Sequence, residues 1–229
     1  MKRLLGKFAI VTGGSSGIGA ACAEALASEG AAVLATGRRY DHGPAPHPAL
    51  GEVAHAGLDV TNEDEVNRRF GELPEVDILV CSAGVGTFAP IINASVADVR
   101  AMLDVHIVGT LLCARAALRR MQPRRKGHIL IIGSHVAHRA FTECGGYTAA
   151  KAGQLGLARV LAEEARPYDI RITSLLPGAT DTPIWDDRPG FDRSKMMRPE
   201  DVAGFLISIV ARPNIAVEEV IVMPPAGVL

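Results

Sequence analysis

The stretch FAIVTGGSSGIGAACAEALASEG, Phe8 to Gly30, decides the fold. Phe8 to Val11 is an unbroken apolar run, the pattern of a strand buried on both faces. Glycines follow at Gly13, Gly14, Gly17 and Gly19. Ile18 to Ser28 is alanine-rich and helical, and Gly30 ends that helix. Gly13, Gly17 and Gly19 therefore lie between a strand and a helix N-terminus, where glycine lets the backbone turn sharply and approach a pyrophosphate. The free N–H groups and positive dipole end of the helix complete an anion site. A plain turn would use the same glycines, but the strand-to-helix setting favours nucleotide binding.

The same alternation runs outward along the chain. Ala32 to Ala35, Val53 to Val60, Val76 to Cys81, His128 to Ile132, Ile170 to Leu176 and Val220 to Met223 read as further strands. Helices are expected after Thr61-Asn62, over Val96 to Met121, over Tyr147 to Arg166 and over Glu200 to Val210. Tyr40 to Leu50, rich in Pro, His and Gly, reads as a loop. Apolar strands alternating with helices specify an α/β fold of Rossmann type, a doubly wound, mostly parallel seven-stranded sheet with helices on both faces. At 229 residues, one domain spanning 1–229 is expected.

Composition narrows the function. Net charge is −1, which gives no electrostatic footprint for nucleic acid. Apolar runs such as Phe205 to Ala211 are too short to span a bilayer, so no membrane partner is expected. Cys22, Cys81, Cys113 and Cys144 are scattered, which argues against a disulfide framework or zinc site and for a reducing cytoplasm.

Ligands of such sheets bind beyond the carboxyl ends of the strands. After the second strand comes ATGRRY, with Arg38 and Arg39 and no acidic residue until Asp41. A free ribose 2′-hydroxyl is usually held by a carboxylate at this point, whereas guanidinium grips a 2′-phosphate, so the pattern points to NADP(H). Solvated loop charges would look the same. Asp59, after the third strand, could accept from an adenine amine or help to cap the next helix, beside Val60. Ser82, Ala83 and Gly84 form a small-residue turn that suits a ribose against the backbone or simply a tight bend. Ser134 follows the fifth strand, and Pro177-Gly178 the sixth, with Thr180 and Thr182 beyond. Tyr147 and Lys151 are one helical turn apart and so share a face.

Taken in order, TGxxxGIG at Thr12 to Gly19, Ser134, YxxxK at Tyr147 to Lys151 and PGxxxT at Pro177 to Thr182 resemble the short-chain dehydrogenase/reductase family over nearly the whole chain. The resemblance implies a nicotinamide cofactor and reversible reduction of a carbonyl or oxidation of a secondary alcohol. It implies Tyr147 as the acid/base, Ser134 as the holder of the carbonyl oxygen, and Lys151 as the charge that lowers the phenol's pKa and bonds the nicotinamide ribose. The cofactor contacts it implies are Gly13, Ser15, Ser16, Gly17, Ile18, Gly19, Arg38, Arg39, Asp59, Val60, Ser82, Ala83, Gly84, Tyr147, Lys151, Pro177, Gly178, Thr180 and Thr182. No metal is expected, although His135, His138 and Cys144 could be imagined as ligands.

Three departures stand out. His106 replaces an asparagine that supports a water relay to the lysine in the family; it could carry an altered relay or be a core histidine. Cys81 replaces an asparagine that braces the sheet, which predicts local loosening. The tail lacks the glycine pair of many members and ends in VIVMPPAGVL. His106 and Cys81 also leave room for a catalytically silent NADP-binding regulator or scaffold with the same fold. A short lid is expected at about 183–198, with Trp185, Phe191, Met196 and Met197 as apolar candidates and no charge cluster that demands an anionic substrate. The family's helix pairing implies a homodimer or homotetramer, with Leu111, Leu112, Ala116, Leu155, Ala158 and Leu161 serving either that interface or helix-to-sheet packing.

Overall fold

The computed structural model describes residues 2–73, 75–186, 188 and 190–227. Asp187 and Pro189 of the expected lid, and Val228 and Leu229 of the tail, lie outside the described residues. The strands are β1 (Phe8–Thr12), β2 (Ala32–Thr36), β3 (Val53–Ala56), β4 (Ile78–Cys81), β5 (Gly127–Ile132), β6 (Ile170–Pro177) and β7 (Glu219–Val222). They form one sheet in the order β3-β2-β1-β4-β5-β6-β7, and every neighbouring pair is parallel. Strand order reverses beside β1, so a crevice opens there at the carboxyl ends of β1 and β4.

Successive side chains of a strand point to opposite faces, and the core divides accordingly. Ile10, Leu34, Leu79, Ile129 and Ile172 pack beneath α2 (Glu63–Gly71), α4 (Thr110–Met121) and α5 (Gly145–Ala165). Ala9, Val11, Val33, Val80, Leu130 and Leu175 pack beneath α1 (Gly17–Ser28) and α6 (Pro199–Val210). The third strand is shorter than expected. It ends at Ala56 because the Gly57 amide turns away to donate to the Asp41 carbonyl. Asn62 rather than Thr61 caps α2, its side chain accepting from the Glu65 amide at 3.1 Å.

The expected helix over Val96 to Met121 is α3 (Val96–Leu103) and α4, joined by a π-helical segment at Asp104–Gly109. With its flanks this helix, Val96–Arg124, is long and apolar enough by length and composition to cross a bilayer, which the sequence reading overlooked. Half of that apolar window is buried within the fold, where Leu112, Cys113, Ala117 and Met121 join the core. Of the residues considered for an oligomer interface, Leu112, Ala116, Leu155, Ala158 and Leu161 are buried inside the chain's own core or helix packing. Leu111 alone stays exposed, with Val108 and Val160 nearby on the same helices' outer surfaces. The four cysteines are free and buried.

Candidate active site

One cleft of about 1360 Å³ runs along the carboxyl ends of the strands, and every residue nominated above as catalytic or cofactor-contacting lines it. The glycine loop forms its floor. Gly13 and Gly17 hold φ of +68° and +55°, the left-handed region that side chains rarely adopt. A Cβ on Gly13 would stand 2.6 Å from the Ala83 backbone, and one on Gly19 would stand 2.2 Å from the Gly13 carbonyl oxygen. The loop is thus folded tightly against the Ser82-Ala83-Gly84 turn and presents backbone N–H groups at the start of α1. Ser16 precedes that helix without a side-chain cap, which leaves its first amides open to an anion.

Cys81 is buried at the end of β4. Thr12 Oγ1 accepts from the Ser82 amide at 3.3 Å and the Ala83 amide at 3.5 Å, and donates to the Val80 carbonyl at 3.4 Å. A hydroxyl on the neighbouring strand thus ties down the turn after β4.

Beyond β2, Arg39 donates to Ser15 Oγ at 3.2 Å, which ties the arginine loop to the glycine loop. Arg38 and Arg39 are exposed, and neither forms an ion pair among the described residues. Asp59 lines the cleft, and its Oδ1 accepts from the Thr61 amide and hydroxyl at 2.9 and 2.8 Å. Thr180 donates to the Gly178 carbonyl at 3.1 Å, while Thr182 leans over the Gly17 side of the loop.

Ser134, Tyr147 and Lys151 meet where β5 ends and α5 begins. Ser134 opens a short 3-10 turn, accepts from the Val136 amide at 3.3 Å and sits beside the Tyr147 phenol. Lys151 is buried; its Nζ donates to the Ile132 carbonyl at 2.9 Å and to Gln154 Oε1 at 3.1 Å. Gln154 is itself anchored, donating to Thr110 Oγ1 at 2.8 Å. Burial dominates the ionisation of both groups. Burial pushes Tyr147 up to about 12, against the opposing effect of the nearby Ser134 hydroxyl, and pushes Lys151 down to about 7. The amine lies 5.9 Å from the phenol ring centroid, and its own burial favours the neutral form.

His106 sits in the π segment, a geometry often found at functional sites. Its Nε2 donates to the Val85 carbonyl at 2.7 Å, so a neutral ring leaves Nδ1 as an acceptor. Nδ1 is buried with no partner among the described residues. Burial, and then the Lys151 charge, push this imidazole down to about 3. The ring stands edge-on to Tyr147 at 5.7 Å and presses on Gly84.

The imagined metal ligands are not gathered. His138 pairs with Glu219, His135 stacks by Phe141 at 5.7 Å, and no metal-holding cluster occurs among the described residues. The lid divides in two. Trp185 and Phe191 face the cleft, but Met196 is buried and Met197 packs on the core, its backbone bonded to Ala179 and Asp181. The methionines fasten the lid's far end. Sequence reasoning missed Gln154, Thr110 and Phe88, and no motif marks them. It missed Arg188 because a lone arginine in a polar loop carries no signal.

Comparison with known proteins agrees with this geometry. The short chain dehydrogenase family model matches residues 7–190, and the chain belongs to that family. It is therefore an oxidoreductase of the short-chain type. An uncharacterized oxidoreductase of Staphylococcus haemolyticus is 34% identical over 98% of this chain and 100% of its own. A cis-4-hydroxycyclohexanecarboxylate dehydrogenase of Sinomonas cyclohexanicum is 34% identical over 86% of each chain. Among solved structures, an alcohol dehydrogenase from the archaeon Thermococcus sibiricus complexed with 5-hydroxy-NADP superposes with a TM-score of 0.84, at 27% identity over 96% of this chain and 97% of that one. A short chain dehydrogenase from Burkholderia cenocepacia in complex with NADP gives 0.83, at 25% identity over 98% and 99%.

Proposed function

We propose that the protein is an NADP(H)-dependent oxidoreductase that reduces a carbonyl or oxidises a secondary alcohol on a small to medium substrate. The observation that carries this reading is the meeting of the Tyr147 phenol, the Ser134 hydroxyl and the buried Lys151 amine in the cleft floored by the glycine loop. The residues fit a dinucleotide. Backbones packed too closely for any Cβ, open amides at the start of α1, and two arginines without an ion-pair partner among the described residues suit a pyrophosphate and a 2′-phosphate. Gly13 to Gly19, Arg38, Arg39 and the Ser82 to Gly84 turn would hold it, with Lys151, Pro177, Gly178, Thr180 and Thr182 toward the reacting end. A nicotinamide bound there gives or takes the hydride.

The chain's own groups manage the oxygen. Ser134 orients the carbonyl oxygen, and the Tyr147 hydroxyl delivers its proton to that oxygen or removes it in the reverse direction. Lys151, when protonated, favours the phenolate that remains. Gln154 and Thr110 fix the amine from behind, and His106 Nδ1 offers an acceptor beside the pair. A cyclic secondary alcohol, of the kind in the name of the Sinomonas relative, suits a cleft walled by Phe88, Phe141 and Trp185. Four buried thiols suit a reducing cytoplasm.

The test is NADPH oxidation with a reactive dicarbonyl, wild type beside Tyr147→Phe. Turnover in the wild type alone supports the reading. Tight NADPH binding with no turnover in either protein would leave a binding regulator in its place.

A further inference from the structure

The mouth of the cleft carries a guanidinium that the dinucleotide reading does not use. Arg188 lies in the lid just beyond the helical turn Pro183–Trp185. Its guanidinium carbon stands 3.9 Å over the Phe88 ring, 4.9 Å from Phe191 and 5.2 Å from Trp185. Its side chain also lies beside the Cys144 thiol. Among the described residues it has no carboxylate partner, whereas Arg193 in the same lid is held by both Asp181 and Asp186. Asp98 and Glu143 line the cleft without pairing with it.

Three rings around one cation do more than pack. Aromatic faces attract and partly desolvate a guanidinium, but they leave its in-plane N–H groups without acceptors. Those N–H groups form a fork that matches a carboxylate. The position also matters. Phe88 lies 5.4 Å from the Tyr147 ring, so two ring contacts in series link the proton-transferring phenol to the unpaired cation. A compact apolar body could span that wall with its reacting oxygen at Tyr147 and an anionic group at the lid.

We infer that Arg188 is a specificity-determining residue that selects carboxylate substrates, in which a small ring carries the reacting hydroxyl or carbonyl at one end and the carboxylate at the other. The inference rests on the oxidoreductase reading of the same cleft. The cage supplies orientation and a dry surround, and the carboxylate supplies the charged acceptor that no described residue of the chain provides.

Trp185 is the single tryptophan in the sequence, so its fluorescence reports on this cage directly. The probe is cyclohexanecarboxylate, titrated in the presence of NADP beside its neutral isostere, cyclohexanecarboxamide. The wild type is expected to give a saturable change with the acid at a Kd about tenfold or more below that for the amide. Arg188→Met removes the difference, and Arg188→Lys keeps part of it. In turnover, Arg188→Met is expected to raise KM for 4-oxocyclohexanecarboxylate at least about tenfold more than for 4-methylcyclohexanone. Equal binding of acid and amide by the wild type, or an acid preference that survives in Arg188→Met, overturns the inference. Arg188-dependent binding without turnover upholds it and removes the oxidoreductase assignment of the site. Tyr147-dependent turnover with no acid preference does the reverse.

Discussion

His106 and His128 are both buried imidazoles with a single hydrogen-bond partner. His128 Nε2 donates to Thr173 Oγ1 at 2.8 Å, because that hydroxyl already donates to the Val217 carbonyl. Burial, with the Arg171 charge second, pushes His128 down to about 3, as burial does His106. The ordinary value is about 6.5. Between about pH 3 and 6.5 the unfolded chain therefore binds more protons than the native one, and stability falls as pH drops through that window. Each ring costs about 2 kcal/mol at about pH 5. A His106→Asn, His128→Asn double variant is expected to flatten the decline of Tm between about pH 6.5 and 5. An unchanged slope would place the titration elsewhere. Arg39 offers a second test at this scale. Arg39→Gly is expected to weaken NADPH at least about tenfold while leaving NADH within about twofold, read as the ratio of the two KM values. Equal losses for both cofactors would mean that Arg39 only supports the Ser15 loop.

Elements show what the sequence could and could not disclose. Strands and helices were legible because most strands are short apolar runs and several helices stop near a glycine or proline. The glycine loop was legible for the same reason that it is fragile. A Cβ on Gly19 meets a backbone oxygen at 2.2 Å that cannot move without unfolding the turn. Gly19→Ala is therefore expected to cost about 1–3 kcal/mol, as overpacking does. A lowered urea midpoint and lost NADPH binding would register it; a wild-type midpoint would contradict the close packing. The π segment was not legible. Inserting one residue into a helical turn leaves the apolar pattern of a long helix intact, yet it sets where His106 stands. Buried charge was equally hidden. Arg69 lies in a polar helix, but it is fully buried and donates to the Gly43 and Gly57 carbonyls, where it pins the loop that the sequence showed only as proline and histidine.

At the scale of the whole molecule, the long helices leave apolar side chains outside the core. Val108, Leu111 and Val160 are exposed on the π segment, α4 and α5, while Thr110, Leu112 and Leu161 beside them are buried. Association of two copies through these helices would cover them, as the family resemblance leads one to expect. Val160→Asp is expected to shift the wild-type assembly to monomer by sedimentation velocity, with the far-ultraviolet spectrum unchanged. A wild type that is already monomeric would remove that expectation. The sequence could mark these helices as apolar but could not divide their faces, because alanine and leucine serve inner and outer packing alike.

The ladder that centres β1 has a consequence for synthesis. Phe8 donates its amide to Asp77 across 69 residues, and β1 pairs on that side with β4 alone. As the chain leaves the ribosome, β1 and β2 can join early, but the other edge of β1 stays open until residue 81 has emerged. An open strand edge is the part of a nascent sheet most prone to stray pairing. The nucleotide cradle is thus half-built, with one raw edge, well before α5 delivers the tyrosine and lysine. A chaperone bound during translation would act on that interval, and premature termination before β4 would release a fragment more prone to aggregate than one truncated after it.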